Sequence, residues 1–558
     1  MKTLFNWKIN KIYLLLGLII FLGFFLRFFY LGQNPPSLTW DEASWGYNAY
    51  SLGIDGKDEF GRLFPHDYLE SFGDFKPPLY AYLDIIPVRI FGLNEFSARF
   101  PSALFGTLTI LITYFLVKRI FYKKSLGKEI IRIEIVALLS SFFLAISPWH
   151  IMLSRAAFEA NIATFLLSCG VWLFLVGVQD KKWHLILSGI FFALSLYAFN
   201  TARIVAPLLV IFLGIGFRRQ LKLMKRKVIV AVIIGILLVL PTLKFLLSSQ
   251  ADLRFKEVNI FSDVSLINVT NQEINNDNNA FWSKIIHNRR FVFAAEYIKH
   301  YFDNLSPSFL FIKGDGNPKF STQDVGEMYL WDLPFFIIGI LFLFKWKEGN
   351  WWVVPVWLFL GIVPAASARE TPHALRIETT LPTFQIFTAY GFTIFFFYLK
   401  NKLSNFKLKN IAILSFSFLF LLFNFLYFYH GYLAHYPREF SGEWQYGYKE
   451  SIAYVLSEQD NYDLISITTS LGRPYIYYLF YSKANPQEYR KSVKVKRDPF
   501  GFVEVSGFGK YRFSGNLSIE EGKRVLYIDL PNKLPSKAKL LKTFYLLNGK
   551  QALIAYIR

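Results

Sequence analysis

The chain has 558 residues, of which 53% are hydrophobic and 19% aromatic, and its mean hydropathy is +0.32. With 61 phenylalanines, this composition excludes an ordinary soluble protein and predicts a polytopic membrane protein. The net charge of +21 does not require a nucleic-acid partner, because many basic residues fall in short loops between apolar runs, as the positive-inside rule predicts. The single cysteine, Cys169, excludes a disulfide framework and a cysteine metal site.

Apolar segments recur along most of the chain at about the length that crosses a bilayer core. The first follows a basic N-terminus and lacks a small-residue cleavage site, so we predict a retained helix and not a signal peptide. The predicted spans lie at 11–30, 101–118, 133–150, 160–178, 184–200, 203–217, 228–248, 329–344, 351–366, 377–398 and 410–430.

The charges of the short loops test these eleven spans. With a cytoplasmic N-terminus, every basic cluster in a short loop lies on the cytoplasmic side, and the odd number of spans places the C-terminus outside. The apolar segment 77–92 (PPLYAYLDIIPVRIFG) contains Asp84, Pro87 and Arg89. Counting it as a span would move all later basic clusters outside, so we predict a helix lying in the outer membrane interface.

The large polar pieces then lie outside, in loops 31–100 and 249–328 and in the C-terminal segment. The stretch INNDNNA (274–280) predicts flexibility in the second of these loops. Short β-like runs, DLISITT, RVLYIDL and ALIAYI, flank a helix-like PYIYYLFYS. We therefore predict two domains: a transmembrane catalytic domain at 1–430 and an extracytoplasmic α/β domain at 431–558.

Each outer loop brings a few charged residues to the membrane surface, where charges are costly and tend to be paired or functional. Carboxylates among arginines, lysines and histidines fit an anionic substrate and an acid–base step, and aromatic faces offer a surface for a sugar ring. The candidates are Asp41, Glu42, Lys76, Arg99, His150, Arg155, Glu159, Arg203, Arg369, His373, Arg376 and Glu378, with the aromatics Trp40, Trp45, Tyr47 and Tyr50.

Structural roles for the same residues stay open. A single arginine at a span end is more often an interface anchor, and both histidines are typical of hydrogen-bonded structural positions. Asp41 and Glu42 follow Thr39, an arrangement typical of a capped helix N-terminus. The aromatics could equally form an interfacial belt.

The stretches WDEASWGYNAY and DFKPPLYAYLDIIPVRIFGLNEFSARFPSALFGTLT resemble polyprenyl-phosphate-sugar-dependent glycosyltransferases of the GT-C fold. These comprise glycosyltransferase family 39, which includes the protein O-mannosyltransferases, and the bacterial aminoarabinose transferases. The resemblance covers essentially the whole chain and is most specific over 31–115. It implies an α-helical membrane protein with about eleven spans and a C-terminal soluble α/β domain.

The resemblance assigns roles residue by residue. It implies that Asp41 is the catalytic base and that Glu42 supports it. It also implies that Lys76, before the Pro-Pro step, contacts the lipid phosphate. Beside the resemblance, the outer-loop residues Arg155, Arg203, Arg376 and His373 are our further candidates for binding that phosphate. Arg99, Glu159, Trp40 and Tyr47 are possible supporting residues. Aminoarabinose transferases have an acid directly before this lysine that is implicated in metal binding, whereas this chain has Phe75, so we predict no metal site and leave dependence on a divalent metal open.

The implied activity is inverting transfer of a hexose, mannose-like, from a polyprenyl-phosphate donor to a hydroxyl on a protein, lipid or cell-wall glycan at the outer face of the plasma membrane. The implied partners are therefore the lipid-linked donor, the acceptor and membrane lipids, without nucleic acid. A transporter or flippase of lipid-linked saccharides is the alternative, but it predicts inverted repeats and charges at mid-span, and the charges here lie at span ends. A scaffold role centred on 431–558 is a third possibility.

Overall fold

The computed structural model describes residues 2–122, 128–248, 251, 258–402, 407–497, 503–517 and 522–558. Lys123 and Lys124, predicted to be cytoplasmic, lie outside these ranges. The chain divides into two compact units. The first unit contains residues 1–26, 106–152 and 160–428, and the second contains 27–105, 153–159 and 429–558.

Helices account for most of the described residues. In chain order they are α1 (Lys2–Phe28), α2 (Trp40–Asp55), α3 (Leu79–Phe91), α4 (Glu95–Ile120), α5 (Lys128–Ile146), α6 (Pro148–Ser154), α7 (Ala160–Asp180), α8 (His184–Ser195), α9 (Ala202–Gly216), α10 (Arg218–Lys222), α11 (Lys225–Leu246), α12 (Val264–Asn276), α13 (Phe281–Ile286), α14 (Arg289–Asp303), α15 (Asp332–Trp346), α16 (Val353–Ala366), α17 (Thr383–Lys402), α18 (Lys407–His430), α19 (Tyr436–Glu439), α20 (Tyr448–Glu458), α21 (Pro474–Ser482) and α22 (Pro486–Ser492).

Each of the eleven predicted spans overlaps at least one of these helices. Among the described residues, five segments are long and apolar enough to cross a membrane, and the pair α5–α6, bent by 57°, makes a sixth. They lie in α1, α4, α7, α11 and from α18 to α19. Other predicted spans are shorter: α8, with 12 residues, is about 18 Å long, less than the roughly 30 Å hydrocarbon core. The multi-pass class is confirmed, while the count of eleven and the orientation stay predictions.

Three helices, α12 to α14, occupy much of the predicted outer loop 249–328. The Asn-rich stretch 274–280 begins in the last turn of α12 and ends just before α13. Its flexibility stays a prediction.

A seven-stranded sheet dominates the C-terminal part of the second unit. Two earlier strands, β1 (Leu69–Ser71) and β2 (Asp74–Lys76), form a separate two-stranded sheet. The strands of the larger sheet are β3 (Leu464–Thr468), β4 (Lys494–Arg497), β5 (Val503–Phe508), β6 (Tyr511–Ser514), β7 (Val525–Asp529), β8 (Lys539–Tyr545) and β9 (Gln551–Ile557). Their order is β4-β5-β6-β3-β7-β9-β8, and β3 runs parallel to both neighbours while the remaining pairs are antiparallel. The three predicted β runs overlap β3, β7 and β9, and PYIYYLFYS is α21.

The core of the second unit joins the first outer loop to this sheet. Tyr47 and Ala49 of α2 belong to the same buried cluster as Ile476 of α21 and Ile467 of β3. Every residue of β3 and β7 is buried, as expected for central parallel strands covered on both faces. Residues 27–105 therefore pack with the C-terminal segment in one unit. The division into a domain at 1–430 and a separate domain at 431–558 stays a prediction.

Candidate functional site

The first turn of α2 is fixed by a capping box. Thr39 is the N-cap residue: its hydroxyl accepts from the Glu42 N–H (3.3 Å), and its own N–H donates to Glu42 Oε2 (2.9 Å). This reciprocal pattern satisfies two helix-end donors and typically stabilises a helix start. Asp41 lies inside the same turn, so its carboxylate is held on an ordered backbone.

Glu42 is buried and fully engaged. Arg99 donates from Nε to Glu42 Oε1 (2.8 Å), and the N–H of Ala157 donates to the same oxygen (3.0 Å). The rest of the Arg99 guanidinium donates to the carbonyls of Leu31, Pro35 and Ser37. The Glu42–Arg99 pair thus ties α2 to α4 and to the segment before α2.

A short hairpin places Lys76. Its strands are β1 (Leu69–Ser71) and β2 (Asp74–Lys76), paired antiparallel with Leu69 opposite Lys76. The two turn residues, Phe72 (φ 61°) and Gly73 (φ 78°), are both left-handed, as in the tight turns that match strand twist. The hairpin therefore ends with the lysine at a fixed position beside α2.

Asp41 and Lys76 form an ion pair, with Lys76 Nζ donating to Asp41 Oδ1. The side chain of Lys76 is only 7% exposed, whereas that of Asp41 is 47% exposed. The ammonium lies 5.1 Å from the ring centroid of Trp45 and 5.2 Å from that of Phe72. Burial disfavours the charged ammonium, but the neighbouring carboxylates, Asp41 first among them, outweigh it, so the pKa of Lys76 lies above its ordinary value.

Glu159 adds a second carboxyl to this neighbourhood. Burial raises the pKa of Glu159 to about 7, and Lys76 partly opposes the shift while Asp41 adds to it. The carboxyl therefore changes charge near neutral pH beside a lysine that stays protonated.

The other predicted residues of the second unit have structural contacts. Arg155 is buried and donates to the carbonyls of Arg27 (3.2 Å) and Asn34 (2.9 Å). Tyr47 is buried, and its hydroxyl donates to the Ala484 carbonyl (3.2 Å), so it belongs to the core and not to an open sugar-binding wall.

Three of the predicted phosphate contacts belong to the first unit. Arg203 donates to the Leu196 carbonyl (3.2 Å), and Arg376 donates to the Glu370 carbonyl (3.1 Å). Burial lowers the pKa of His373 to about 3, so this imidazole is neutral at physiological pH. The structure therefore brings together Asp41, Lys76 and Glu159 within the second unit. The three residues Arg203, Arg376 and His373 belong to the first unit.

Sequence reasoning missed several buried carboxyls. Glu59 in the second unit is fully buried, and burial raises its pKa to about 8. In the first unit, Asp315 accepts from the Ala374 N–H (2.7 Å), and its own N–H donates to the buried Glu327 (2.9 Å). Local pattern around Asp315 does not indicate Ala374, a partner 59 residues further along the chain.

The position before Lys76 offers no metal ligand. Phe75 is buried and packs edge-on against Tyr68, with ring centroids 5.1 Å apart. Within the described ranges, no three His, Cys, Asp or Glu side chains are grouped so that they could hold a metal ion. The residues present therefore do not fit the metal site of the aminoarabinose transferases, and no step below involves a metal.

Comparisons with known proteins concern the family and the fold of the chain. Residues 75–245 match the family described as dolichyl-phosphate-mannose-protein mannosyltransferase. An uncharacterised protein of Aquifex aeolicus (strain VF5) is 34% identical over 204 residues, which cover 34% of this chain and 44% of the relative. The matched segment spans less than half the length of the curated relatives.

Two solved structures share the fold. The enzyme ArnT of Cupriavidus metallidurans, bound to undecaprenyl phosphate, aligns with a TM-score of 0.54 at 12% identity, covering 99% of this chain and 98% of ArnT. The archaeal oligosaccharyltransferase AglB of Archaeoglobus fulgidus, in complex with an inhibitory peptide and a dolichol-phosphate, aligns at 0.50 with 14% identity, covering 85% and 64%.

These findings define the class: a multi-pass membrane protein with the fold of the GT-C glycosyltransferases. The resemblance that the outer-loop motifs predict is confirmed, by the mannosyltransferase family match over residues 75–245 and by the fold over nearly the whole chain.

Proposed function

We propose that this protein transfers a glycosyl residue from a polyprenyl-phosphate-linked donor to a hydroxyl-bearing acceptor at the outer face of the plasma membrane. The observation that carries the proposal is the Asp41–Lys76 pair, in which a half-exposed carboxylate meets a buried, protonated lysine. The family match supports a mannose-like hexose as the transferred sugar. The lipid phosphates bound to ArnT and AglB support a polyprenyl phosphate as the carrier.

In the proposed reaction, Asp41 accepts the proton of the acceptor hydroxyl. The oxygen then attacks the anomeric carbon, the bond from that carbon to the phosphate oxygen breaks, and the configuration inverts. The electron pair leaves with the polyprenyl phosphate, and the Lys76 ammonium stabilises the added negative charge. The phosphate is already an activated leaving group, so the step needs no nucleotide.

Glu42 takes a positioning role in this proposal. Its two oxygens are occupied by Thr39, Arg99 and Ala157, and its side chain is only 1% exposed, so it holds the first turn of α2 while Asp41 faces the acceptor. Arg155 holds backbone carbonyls of the same region. Arg203, Arg376 and His373 remain proposed phosphate contacts, with His373 acting as a neutral donor.

Mass spectrometry of glycolipids, cell-wall polymers and surface proteins from cells with and without this protein tests the proposal. We expect one acceptor class to lose a hexose in the cells that lack the protein and to regain it on complementation. Unchanged glycosylation of all three classes would contradict the transferase function. Accumulation of the lipid-linked donor on the cytoplasmic side would favour a flippase instead.

A further inference from the structure

A cavity of about 350 Å³ lies in the second unit where the sheet meets the start of α2. The loop between β3 and α21 contributes Thr469, Gly472 and Arg473 to the lining, β5 contributes Glu504, and Trp40 of α2 also lines the cavity. Its volume falls within the roughly 300–1,000 Å³ typical of small-molecule sites.

The topology of the sheet explains why a cavity forms there. The central strand β3 is parallel to β6 on one side and β7 on the other, and the chain leaves its carboxyl end towards β4–β6 before crossing to β7. Ligands of open sheets that contain parallel strands bind outside the carboxyl ends at such switch points. Gly472 (φ 126°) permits the close approach of Trp40, because a Cβ at this position would lie 2.6 Å from the indole ring.

The cavity lies close to the first turn of α2, which contains Asp41. Trp40 precedes Asp41 in the first turn of α2. Phe72, at the tip of the β1–β2 hairpin, lies 5.2 Å from the Lys76 ammonium and 5.7 Å from the Arg473 guanidinium. The same residue accepts a backbone hydrogen bond from Val503 of β5 (3.2 Å). One residue that lines the cavity, Trp40, is therefore the sequence neighbour of the proposed base.

The lining indicates what kind of ligand fits. Within the part of the chain that the structure describes, neither the guanidinium of Arg473 nor the carboxylate of Glu504 has a hydrogen-bond or ion-pair partner. Together they offer both donors and acceptors, as adjacent hydroxyls require, and Trp40 offers a broad apolar face. The opposite charges argue against a strongly anionic ligand.

We propose that this cavity is the acceptor subsite and that it binds a neutral saccharide, with a sugar ring on Trp40 and its hydroxyls on Arg473 and Glu504. This inference rests on the proposed function and deepens it: the acceptor is a glycan, and the C-terminal segment selects it. A hydroxyl of that glycan would be the group that Asp41 deprotonates.

Saturation-transfer NMR on the full-length protein in nanodiscs tests the subsite, with neutral methyl hexopyranosides as probes. We expect signal from at least one glycoside in the wild type. The glycoside signal should fall at least tenfold in Arg473→Gln and in Glu504→Gln. Because Glu504 is an exposed residue of β5, its replacement should leave the fold intact. Arg524→Ala, an arginine that pairs with Asp463 away from the cavity, is the matched control and should keep the signal.

The Asp41→Asn variant separates this inference from the proposed function, since it should bind glycosides normally while losing transfer. Three results would overturn the subsite. They are the absence of any glycoside signal in the wild type, a signal in Arg473→Gln and Glu504→Gln equal to that of the wild type, and binding of a Ser/Thr-rich peptide in place of the glycosides. Normal glycoside binding together with full transfer by Asp41→Asn would overturn the proposed base and leave the subsite standing.

Discussion

Asp41 and Glu42 are neighbours in sequence but differ in environment: their side chains are 47% and 1% exposed. The spacing of Thr39 and Glu42 suffices to predict a capped helix start. It cannot predict Arg99, which lies 57 residues further along the chain and meets Glu42 only after folding. The cap hypothesis is therefore confirmed for Glu42, while the catalytic role of Asp41 stays a prediction.

Replacing Glu42 by alanine should destabilise the protein, because it leaves the buried Arg99 without its counter-charge. Loss of one partner of a buried ion pair costs about 3–5 kcal/mol. Thermal unfolding in detergent measures the effect. Lys449→Ala, which breaks the exposed pair with Glu95, is the control and should cost less than about 1 kcal/mol. Equal stability of the two variants would contradict the role assigned to Glu42.

We predict that Glu159 makes binding of the proposed donor depend on pH. Its pKa is raised to about 7 by burial, so it is largely neutral below pH 7 and negative above. The added charge beside Lys76 should oppose the donor phosphate, raising the donor KM by about three- to tenfold between pH 6 and 8. Steady-state kinetics across this range measures the change. Glu159→Gln should flatten the profile, and a variant that keeps the wild-type slope would refute the assignment.

At the scale of elements, α2 packs closely on α21. A Cβ at Gly46 would lie 2.5 Å from Phe480 Cε2, so Gly46→Ala should cost about 1–3 kcal/mol through overpacking. Adding Phe480→Leu should recover part of that loss. Gly53→Ala in the same helix meets Arg89 only at 3.5 Å and should be neutral or slightly stabilising. The unfolding free energies of the four variants test the contact, and additive effects of Gly46→Ala and Phe480→Leu would argue against it.

Hydrophobic pattern predicted some strands and missed others for physical reasons. The runs that overlap β3, β7 and β9 are apolar and largely buried, so composition alone predicts them as strands. By contrast, β4 is the basic sequence KVKR with every residue exposed, and it is a strand because it pairs with β5. The predicted α3 is a helix of 13 residues, but its place in the membrane interface stays a prediction.

At the scale of the whole molecule, hydropathy alone predicts the apolar segments, and each of them overlaps a helix. The cavity could not be predicted, because Trp40 and Arg473 are 433 positions apart and meet only in the folded second unit. Local sequence pattern does not predict the grouping of residues 27–105 with 429–558 either, because this grouping depends on contacts between segments far apart in the chain.

The predicted topology can be tested by labelling with a membrane-impermeant maleimide in intact cells. Cys169, the sole cysteine, is buried and can be replaced by serine. In that background Lys550→Cys should be labelled from outside, and Lys222→Cys only after the membrane is permeabilised. Both positions are exposed. Labelling of Lys222→Cys in intact cells would contradict the positive-inside orientation.

The central claim is that Asp41 is the base for glycosyl transfer from a polyprenyl-phosphate donor. The most direct measurement is transfer of labelled hexose from that donor by the purified protein in liposomes, comparing the wild type with Asp41→Asn. The control is Asp460→Asn, because the side chain of Asp460 is 96% exposed and has no part in the proposed reaction. We predict that Asp41→Asn lowers the rate by about 10²–10⁴-fold while Asp460→Asn matches the wild type. Transfer by Asp41→Asn within a few-fold of the wild-type rate would contradict the account.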